Sequence, residues 1–452
     1  MAKKKIKIIK RKIKTIADYI AFVIILPLCF LGLLFFLPWI IKQRRIWQNT
    51  AKGNPTALFI KSFRIDKSEK RGFAYLLPFQ NPMLDKIYFF DATNSQDADI
   101  EIEKDCYILL RKLPPFYDYI VRKGYEVTAI IFRELIAIHK ITNFCVEEKI
   151  GVLRAYKHNY PALRAYIVSC FIKIPFIVDI SGNYALRPIT NGKPHYFKGL
   201  DRKPIFKFFL PPIANWLYGL PLRHAFHVFG RNKCLYEHAF ALGAPLEKLS
   251  LLRINNFDAI FNSYDSQKPP PKPVEYPYLL FVGRLSENKF PLDVIEAFDL
   301  AAENFLDYHL VIIGDGMIRS DVEQRKERSQ YKDRIVLAGR CPSETVFNWT
   351  AHAKIVLCPF SGSTLAEAML CGAPVVAYDV ASHPEIVIDD YTGYLVPFRN
   401  VKAMAEKIIY VLQNYDDARI VSKRGRELAR VVFDKDKIWE KESIYYKQAF
   451  TA

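Results

Sequence analysis

The chain has 452 residues, of which 51% are hydrophobic, and its formal net charge is +18. This length suffices for two domains with packed cores, which excludes a wholly disordered protein. Residues 1–62 contain thirteen Lys or Arg residues and one acid, Asp18, so they contribute +12 of the charge. A basic end beside an apolar stretch indicates an anionic membrane surface and not a nucleic acid as the partner.

The N-terminal region combines a basic tail over 1–15 with an apolar run over 16–41, which is long enough to cross a bilayer as a helix. The run is longer than the apolar part of a signal peptide, and basic residues follow it instead of a cleavage site. We therefore predict a membrane anchor over 16–41. Both flanks are basic and Pro27 lies near the middle, so a simple span and a bent, re-entrant anchor both stay open. A soluble buried helix is the third interpretation.

The eight cysteines are scattered, and none forms a C-x-x-C pair. We expect reduced thiols in a body that faces the cytosol. The histidine and acidic residues show no spacing typical of a metal site, so we expect no metal built into the protein.

Residues 51–262 alternate apolar strands with helices, which is typical of an α/β domain. Predicted strands cover 56–60, 86–90, 106–110, 126–131, 150–155, 175–180, 225–229 and 249–254, and predicted helices cover 114–124, 133–148, 161–173 and 203–220. Ligands of open parallel sheets bind where strands end at their carboxyl edge. The candidates for a ligand cleft at this edge are therefore His158, Arg164, Asn183 and Tyr184, together with Arg231 at the exit of the strand 225–229. Each of them, taken singly, also fits a loop residue without a role.

Five prolines within 263–277 indicate a semi-rigid linker, after which the α/β pattern restarts. Predicted strands cover 278–282, 309–313, 335–338, 355–360, 375–378 and 394–396, and predicted helices cover 291–304, 318–330, 343–351, 365–370, 401–414, 417–432 and 436–450. We assign 278–435 to a second domain and 436–452 to a C-terminal helix.

The most informative stretch, 357–385, predicts a strand, a polar turn, a helix and a second strand. Ser361-Gly362-Ser363-Thr364 opens the helix, so backbone N–H groups and hydroxyls there are available to an anion. Gly362 allows a phosphate to approach the backbone closely. Glu367 lies one turn into the helix, where its carboxylate suits a ribose diol. The alternative for these residues alone is a capped helix that binds nothing.

Five segments of the second half are FVGRLSENKFPLDVIEAF, HLVIIGDG, IVLAGR, LAEAMLCGAPVVAYDVASHPEIV and YTGYLVP. In this order they resemble the nucleotide-sugar domain of the retaining, GT-B-fold glycosyltransferases of family 4. The resemblance is strong over 278–415, weaker over 126–260, and absent over 1–50 and 63–110. It implies an α/β fold of two Rossmann-like domains that face each other across a cleft, with a C-terminal helix that crosses back to the first domain. The sugar donor would bind mostly to the second domain, so the acceptor side would hold His158, Asn183, Tyr184 and Arg231.

The resemblance also implies roles for individual residues. Arg284 and Lys289 match two cations that hold the diphosphate of the sugar donor, where fixed positive charge stabilises the leaving group. Glu367 matches the second acid of the E-x-x-x-x-x-x-x-E motif, which binds the ribose. Gly339-Arg340-Cys341 matches the loop at the edge of the base. The other implied donor-binding residues are Gly283, Ser361, Gly362, Ser363, Thr364 and Leu365. A solvated turn is the alternative for Arg284 and Lys289.

Three positions depart from the family's pattern. The first acid of the motif should lie eight residues before Glu367, where this chain has Pro359. Ser62-Phe63-Arg64 replaces a Gly-Gly turn after the first strand. Ser181-Gly182-Asn183 replaces the usual His after the strand that ends near Ile180. These departures leave the donor sugar open and indicate an unusual acceptor.

We therefore expect a membrane-anchored, retaining, hexosyltransferase-like enzyme. It would move a sugar from a nucleoside diphosphate sugar to a hydroxyl of a glycan or lipid-linked acceptor, in envelope polysaccharide or glycolipid synthesis. Its domains would face the cytoplasm, at the inner membrane if the cell is bacterial, with no metal, no cofactor beyond the sugar donor and no nucleic acid. The first alternative is an inactive protein of the same fold that binds a nucleotide sugar or a partner enzyme at the membrane. A sugar-nucleotide epimerase of this fold is the second.

Overall fold

A computed structural model describes residues 36–60, 81–94, 96–123, 126–180, 206–253 and 272–452. Several predictions lie outside these ranges: the basic tail, most of the anchor and of the linker, Asn183 and Tyr184. Within them, no helix combines the length and the apolar character that crossing a bilayer requires.

The N-terminal half builds an eight-stranded sheet with the order β3-β4-β2-β1-β5-β6-β7-β8. Its strands are β1 (Thr56–Ile60), β2 (Lys86–Asn94), β3 (Ala98–Glu103), β4 (Cys106–Lys112), β5 (Val152–Tyr156), β6 (Phe176–Ile180), β7 (His227–Gly230) and β8 (Leu249–Leu251). All neighbours are parallel except β3, which pairs antiparallel with β4 at the edge. Every residue of β1, β6 and β7 is buried, as expected for parallel strands covered on both faces.

The C-terminal half builds a six-stranded parallel sheet with the order β11-β10-β9-β12-β13-β14. Its strands are β9 (Tyr278–Val282), β10 (His309–Ile313), β11 (Ile335–Gly339), β12 (Ile355–Cys358), β13 (Val375–Asp379) and β14 (Tyr394–Pro397). The strand order reverses between β9 and β12. Such a switch point opens a crevice at the carboxyl ends of the two strands, which is where ligands of doubly wound sheets bind.

From Pro115 onward, twelve α-helices accompany these sheets in the described part of the chain. They are α1 (Pro115–Lys123), α2 (Glu126–Glu147), α3 (Tyr160–Ile172), α4 (Phe206–His224), α5 (Lys233–Ala241), α6 (Pro291–Ala301), α7 (Arg319–Glu327), α8 (Ser343–His352), α9 (Ser363–Leu370), α10 (Val401–Gln413), α11 (Tyr415–Val432) and α12 (Lys435–Thr451). In addition, the segment 36–50 is helical and packs on the N-terminal half, where the Trp47 indole N–H donates to the Ile150 carbonyl over 2.7 Å.

The last helix, α12, packs against the N-terminal sheet although it follows the C-terminal sheet in sequence. Tyr446 and Ala449 join the apolar cluster on one face of the N-terminal sheet. In addition, the Glu442 carboxylate pairs with the fully buried guanidinium of Arg154 in β5. Because a buried charge is costly without a partner, this pair ties the end of the chain to the first domain.

One strand prediction is wrong, one is too long, and one strand was not predicted. The segment 126–131, predicted as a strand, is the start of α2, whose buried residues Ala137, Ile141 and Cys145 follow helical spacing. A short β-branched run alone does not distinguish a strand from a buried helix. The predicted strand 249–254 ends at Leu251. The unpredicted strand is β3, whose sequence ADIEIE is rich in acids.

Candidate functional site at the switch point of the C-terminal sheet

Lys289 spans the crevice between the loops that follow β9 and β12. Its ammonium donates to the Phe360 carbonyl over 2.9 Å and lies 5.3 Å from the centre of the Phe360 ring. Burial and the nearby positive charge of Arg284 lower the pKa of Lys289. Arg284 itself is exposed to solvent. The two predicted cations therefore lie close together. The Lys289 ammonium lies at the carbonyl of Phe360, the residue directly before the turn that opens α9.

Local sequence fixes the position of Lys289. The Ser286 hydroxyl donates to the Asn288 side chain over 2.8 Å, and the Lys289 amide donates to the Ser286 carbonyl over 2.8 Å, which closes a single 3₁₀ turn. Phe290 then adopts the left-handed conformation, with φ of 51°, and Pro291 starts α6 at a position that favours proline. The lysine is thus held at the end of a constrained turn.

The N-terminus of α9 faces the same crevice. Gly362 precedes the helix, and because it has no side chain it cannot cap the amides of the first turn. A Cβ built at Gly362 would meet nothing within 4 Å, so open space adjoins the backbone there. Ser363 is exposed, Thr364 is half-buried, and the Leu365 side chain is buried in the core. The amides of this first turn carry the partial positive charge of a helix start.

Glu367 lies one turn further along α9 and is held by its surroundings. Burial raises the pKa of the Glu367 carboxyl group, and a hydrogen bond with the Ser363 side chain opposes that shift. A half-buried carboxylate at this distance from the helix start is suited to accept hydrogen bonds from hydroxyl groups.

His383 is a site residue that the sequence analysis missed. It is buried, its Nδ1–H donates to the Tyr378 carbonyl over 2.8 Å, and its Nε2 accepts from the Ser361 amide over 3.1 Å. Burial lowers the pKa of His383, which agrees with the neutral ring that this pattern requires. The residue follows β13, the neighbour of β12, so the rule that carboxyl ends of parallel strands meet was the signal that would have found it.

The loops after β9, β10 and β11 are joined backbone to backbone. Gly314 has φ of +146°, and a Cβ there would lie 1.9 Å from the Gly283 carbonyl oxygen, so only glycine fits. The Gly314 amide donates to the Gly339 carbonyl over 2.8 Å. This contact places the exposed Arg340 and the half-buried, free thiol of Cys341 at the same edge of the sheet as Gly283.

The carboxyl edge of the N-terminal sheet holds the acceptor-side candidates that are described. Arg231 is buried, and its guanidinium pairs with the Asp179 carboxylate over 2.6 Å. Arg164 pairs with Glu134 of α2 over 2.6 Å. His158 is buried beside His238, with ring centroids 5.4 Å apart. The structure thus places these residues near the predicted edge but engages both arginines in internal ion pairs.

A short turn links the two halves beside this site. Glu385, two residues after His383, accepts hydrogen bonds from the Lys233 amide over 2.9 Å at the start of α5. It also forms an ion pair with Arg253, which follows β8. The turn over 383–385 therefore contacts the Ser361 loop on one side and the carboxyl edge of the N-terminal sheet on the other.

Two further sequence predictions concern metals and thiols. No cluster of three or more His, Cys, Asp or Glu side chains suited to a metal is present in the ranges that the structure covers. All cysteines in those ranges have free thiols.

Residues 263–428 match the family model described as Glycosyl transferases group 1. The matched segment contains the whole switch-point site, from Gly283 to Glu385.

Two curated relatives are similar to part of the chain, and one solved structure is similar to most of its fold. The chain is 30% identical over 197 residues to the putative colanic acid biosynthesis glycosyltransferase WcaL of Escherichia coli, covering 41% of this chain and 48% of that protein. It is 27% identical over 173 residues to N-acetyl-alpha-D-glucosaminyl L-malate synthase of Bacillus anthracis, covering 37% and 45%. It thus spans about half the length of these curated relatives. HepE of Anabaena, solved in complex with UDP and glucose, superposes with a TM-score of 0.60 at 14% identity over 86% of this chain and 98% of that one. The two-domain α/β fold is therefore GT-B-like.

Proposed function

We propose that this protein is a retaining glycosyltransferase that moves a sugar from a nucleoside diphosphate sugar to an acceptor hydroxyl. The observation that carries the proposal is the Lys289 ammonium, which lies at the Phe360 carbonyl directly before the α9 turn. Arg284 lies near enough for its charge to lower the pKa of that lysine. Two cations and the start of a helix thus lie at the same crevice, an arrangement that suits the binding of a diphosphate.

The same arrangement suits the chemistry of transfer. The bond between the anomeric carbon and the diphosphate oxygen breaks, and negative charge develops on the leaving diphosphate. Lys289, Arg284 and the amides of Ser363, Thr364 and Leu365 oppose that charge from fixed positions, which lowers the barrier. The acceptor oxygen bonds to the anomeric carbon on the same face, and its proton passes to the leaving phosphate. No enzyme nucleophile and no metal ion are needed in this scheme.

Recognition of the nucleoside falls to the remaining residues of the crevice. Glu367 would accept hydrogen bonds from the ribose diol, and Arg340 and Cys341 would border the base. We propose uridine as the first nucleoside to test, because the structural neighbour HepE was solved with UDP. The relative WcaL is described as a colanic acid glycosyltransferase, which supports an envelope polysaccharide or glycolipid as the product.

The setting of the reaction is also a proposal. The basic tail 1–15 and the apolar run 16–41 support a membrane anchor with the catalytic domains in the cytoplasm. The acceptor would then be a glycan or lipid-linked molecule at that membrane.

The second candidate is a non-catalytic protein of the same fold that binds a nucleotide sugar. Pro359 favours it, because it replaces the acid that the family pattern places there. His383 and Lys289 fix the neighbouring Ser361 and Phe360 through backbone contacts, so the loop is ordered without that carboxylate.

A panel of radiolabelled nucleoside diphosphate sugars, incubated with the purified protein and extracts of the native membrane, separates the two candidates. An enzyme incorporates one sugar into extractable material, and Arg284→Ala and Glu367→Ala reduce that incorporation. Binding of a nucleotide without incorporation from any sugar donor would overturn the transferase proposal in favour of the binding protein. Nuclear magnetic resonance of the product's anomeric proton shows whether the configuration is retained.

A further inference from the structure

The helix α1 carries two large aromatic side chains that are more than half exposed to solvent. Phe116 and Tyr119 are 59% and 57% exposed, and their rings lie 6.4 Å apart and nearly parallel. The opposite side of α1 buries Ile120. Two large exposed aromatic rings on a nine-residue helix are unusual for a surface that only contacts water.

Other exposed apolar side chains lie at the same end of the molecule. Phe116 packs edge-to-face against Phe132 of α2, which places α1 beside the first turns of α2. Leu135, one turn further along α2, is 40% exposed. We use the name α1 face for the surface formed by Phe116, Tyr119 and Leu135 together with two residues of the segment 36–50, Phe36 and Leu37.

The helical segment 36–50 brings the N-terminal region to this face. It runs parallel to α2, because Trp39 contacts His139 with ring centroids 4.9 Å apart and Gln43 donates to Asn143 over 3.3 Å. Its first residues therefore lie near Leu135, and there Phe36 and Leu37 are about half exposed. The apolar run 16–41 and the eight cations of 1–15 precede this point in sequence. The chain that could reach a bilayer thus joins the fold at the α1 face.

This end of α2 is also the carboxyl edge of the N-terminal sheet. The helix runs from the exit of β4 to the entrance of β5, so its start lies where the parallel strands end. Glu134 confirms the position, because it pairs with Arg164 in the first turns of α3, directly after the exit of β5. The α1 face therefore adjoins the edge that holds the acceptor-side candidates.

We propose that the α1 face rests on a lipid bilayer with anionic headgroups. Phe116 and Tyr119 suit the headgroup boundary, where aromatic side chains concentrate. The exposed cations Lys112 and Arg122 flank the two aromatic residues in sequence and complement anionic lipid. For the acceptor, a consequence follows that rests on the proposed function: a lipid-linked acceptor would enter the cleft from the bilayer surface on which the α1 face rests.

Site-specific photo-crosslinking in vesicles tests the contact directly. The full chain carries p-benzoylphenylalanine in place of Phe116, or in place of Phe240 as the matched control. Phe240 is 51% exposed on the same domain, but it lies in the last turn of α5, toward the opposite edge of the sheet. Both proteins are reconstituted in phosphatidylcholine vesicles with and without phosphatidylglycerol, each with an alkyne-tagged lipid.

We expect about tenfold more lipid adduct at position 116 than at position 240, and more adduct when phosphatidylglycerol is present. Equal adduct at the two positions would overturn the proposal. So would a crosslink from position 116 to a second copy of the chain, or to residues 1–35 of the same chain, because another occupant would then cover the face. The adduct does not depend on catalysis, so it also tests the surface if the transferase proposal fails.

Discussion

The carboxyl edges of the two sheets use charged residues in different ways. At the carboxyl edge of the C-terminal sheet, the Lys289 ammonium donates to a backbone carbonyl and Arg284 is exposed. Neither cation forms an ion pair with a carboxylate of the described residues, so both are available to an anionic ligand. At the carboxyl edge of the N-terminal sheet, Arg231 pairs with the fully buried Asp179, which also pairs with Arg154 in the middle of β5. The comparison teaches that a cation at a strand end indicates a ligand site only when no carboxylate of the protein already neutralises it.

The largest effect that we expect is a loss of stability when the ion pairs within the N-terminal sheet are broken. Arg154→Met should lower the free energy of unfolding by about 3–5 kcal/mol, because it leaves Glu442 and part of Asp179 buried without their partner. Chemical denaturation followed by circular dichroism measures the change. The matched control is Arg319→Met, since Arg319 also faces two carboxylates, Asp315 and Glu323, but on an exposed surface where such pairs contribute about 1 kcal/mol or less. Equal losses of unfolding free energy in the two variants would show that the buried ion pairs of Arg154 are no more important for stability than exposed ones.

The second prediction concerns the C-terminal edge. Lys289→Ala should reduce kcat by about 10²–10³, the usual cost of removing one fixed group that stabilises charge in a transition state. The free energy of unfolding of this variant should change little, because the hydrogen-bond partner of the lysine is a carbonyl and not a buried charge. Initial rates of sugar transfer measure the effect, with Lys402→Ala on an exposed helix surface as the control. A rate within threefold of the wild type would show that this cation has no part in transfer.

The third prediction addresses the nucleoside. Glu367→Gln should weaken binding of the sugar donor by about 1.5–3 kcal/mol, the contribution of hydrogen bonds to a charged group. The variant should also lose the preference for a ribonucleotide over its 2′,3′-dideoxy analogue. Competition binding with the two nucleotides measures both quantities, and Glu406→Gln on an exposed surface is the control. An unchanged preference would place the ribose elsewhere.

The last prediction concerns the pH dependence of stability at the carboxyl edge of the N-terminal sheet. Burial lowers the pKa of His158 to about 3, so the folded protein keeps this ring neutral while the unfolded chain binds a proton below about pH 6.5. Stability therefore falls as the pH falls from about 6.5 towards 3, by about 1.4 kcal/mol per pH unit for this residue.

The variant His158→Asn tests that assignment. Between pH 6.0 and 4.5 its unfolding free energy should fall by about 2 kcal/mol less than that of the wild type, whatever its stability at neutral pH. Urea unfolding at the two pH values supplies the comparison. If the unfolding free energies of the two proteins fall by the same amount between these pH values, His158 is not held neutral in the folded protein.

Much of the C-terminal fold was predictable from sequence. The bounds of β9 and β10 agree with the prediction, because each is a continuous apolar run that glycine or proline borders. The N-terminal half was less predictable. Segment 126–131 is β-branched and short, so its helical state depends on the packing of the whole of α2.

The candidate site shows the same limit. The sequence indicated Arg284, Lys289 and the turn before α9. It did not indicate that Lys289 donates to Phe360, because that contact joins residues 71 positions apart through one side-chain rotamer. Nor did it reveal that Arg231 pairs with Asp179, since ion pairing between neighbouring strands appears only once the strand order is known.

The central claim is that Arg284, Lys289 and the start of α9 bind a diphosphate, and calorimetric titration tests it most directly. UDP and uridine are titrated into the wild-type chain and into the double variant Arg284→Ala/Lys289→Ala. We predict that the wild type binds UDP at least about a hundredfold more tightly than uridine, and that the double variant loses this difference because charge-assisted hydrogen bonds to the phosphates are gone. An undiminished preference for UDP in the double variant would contradict the claim.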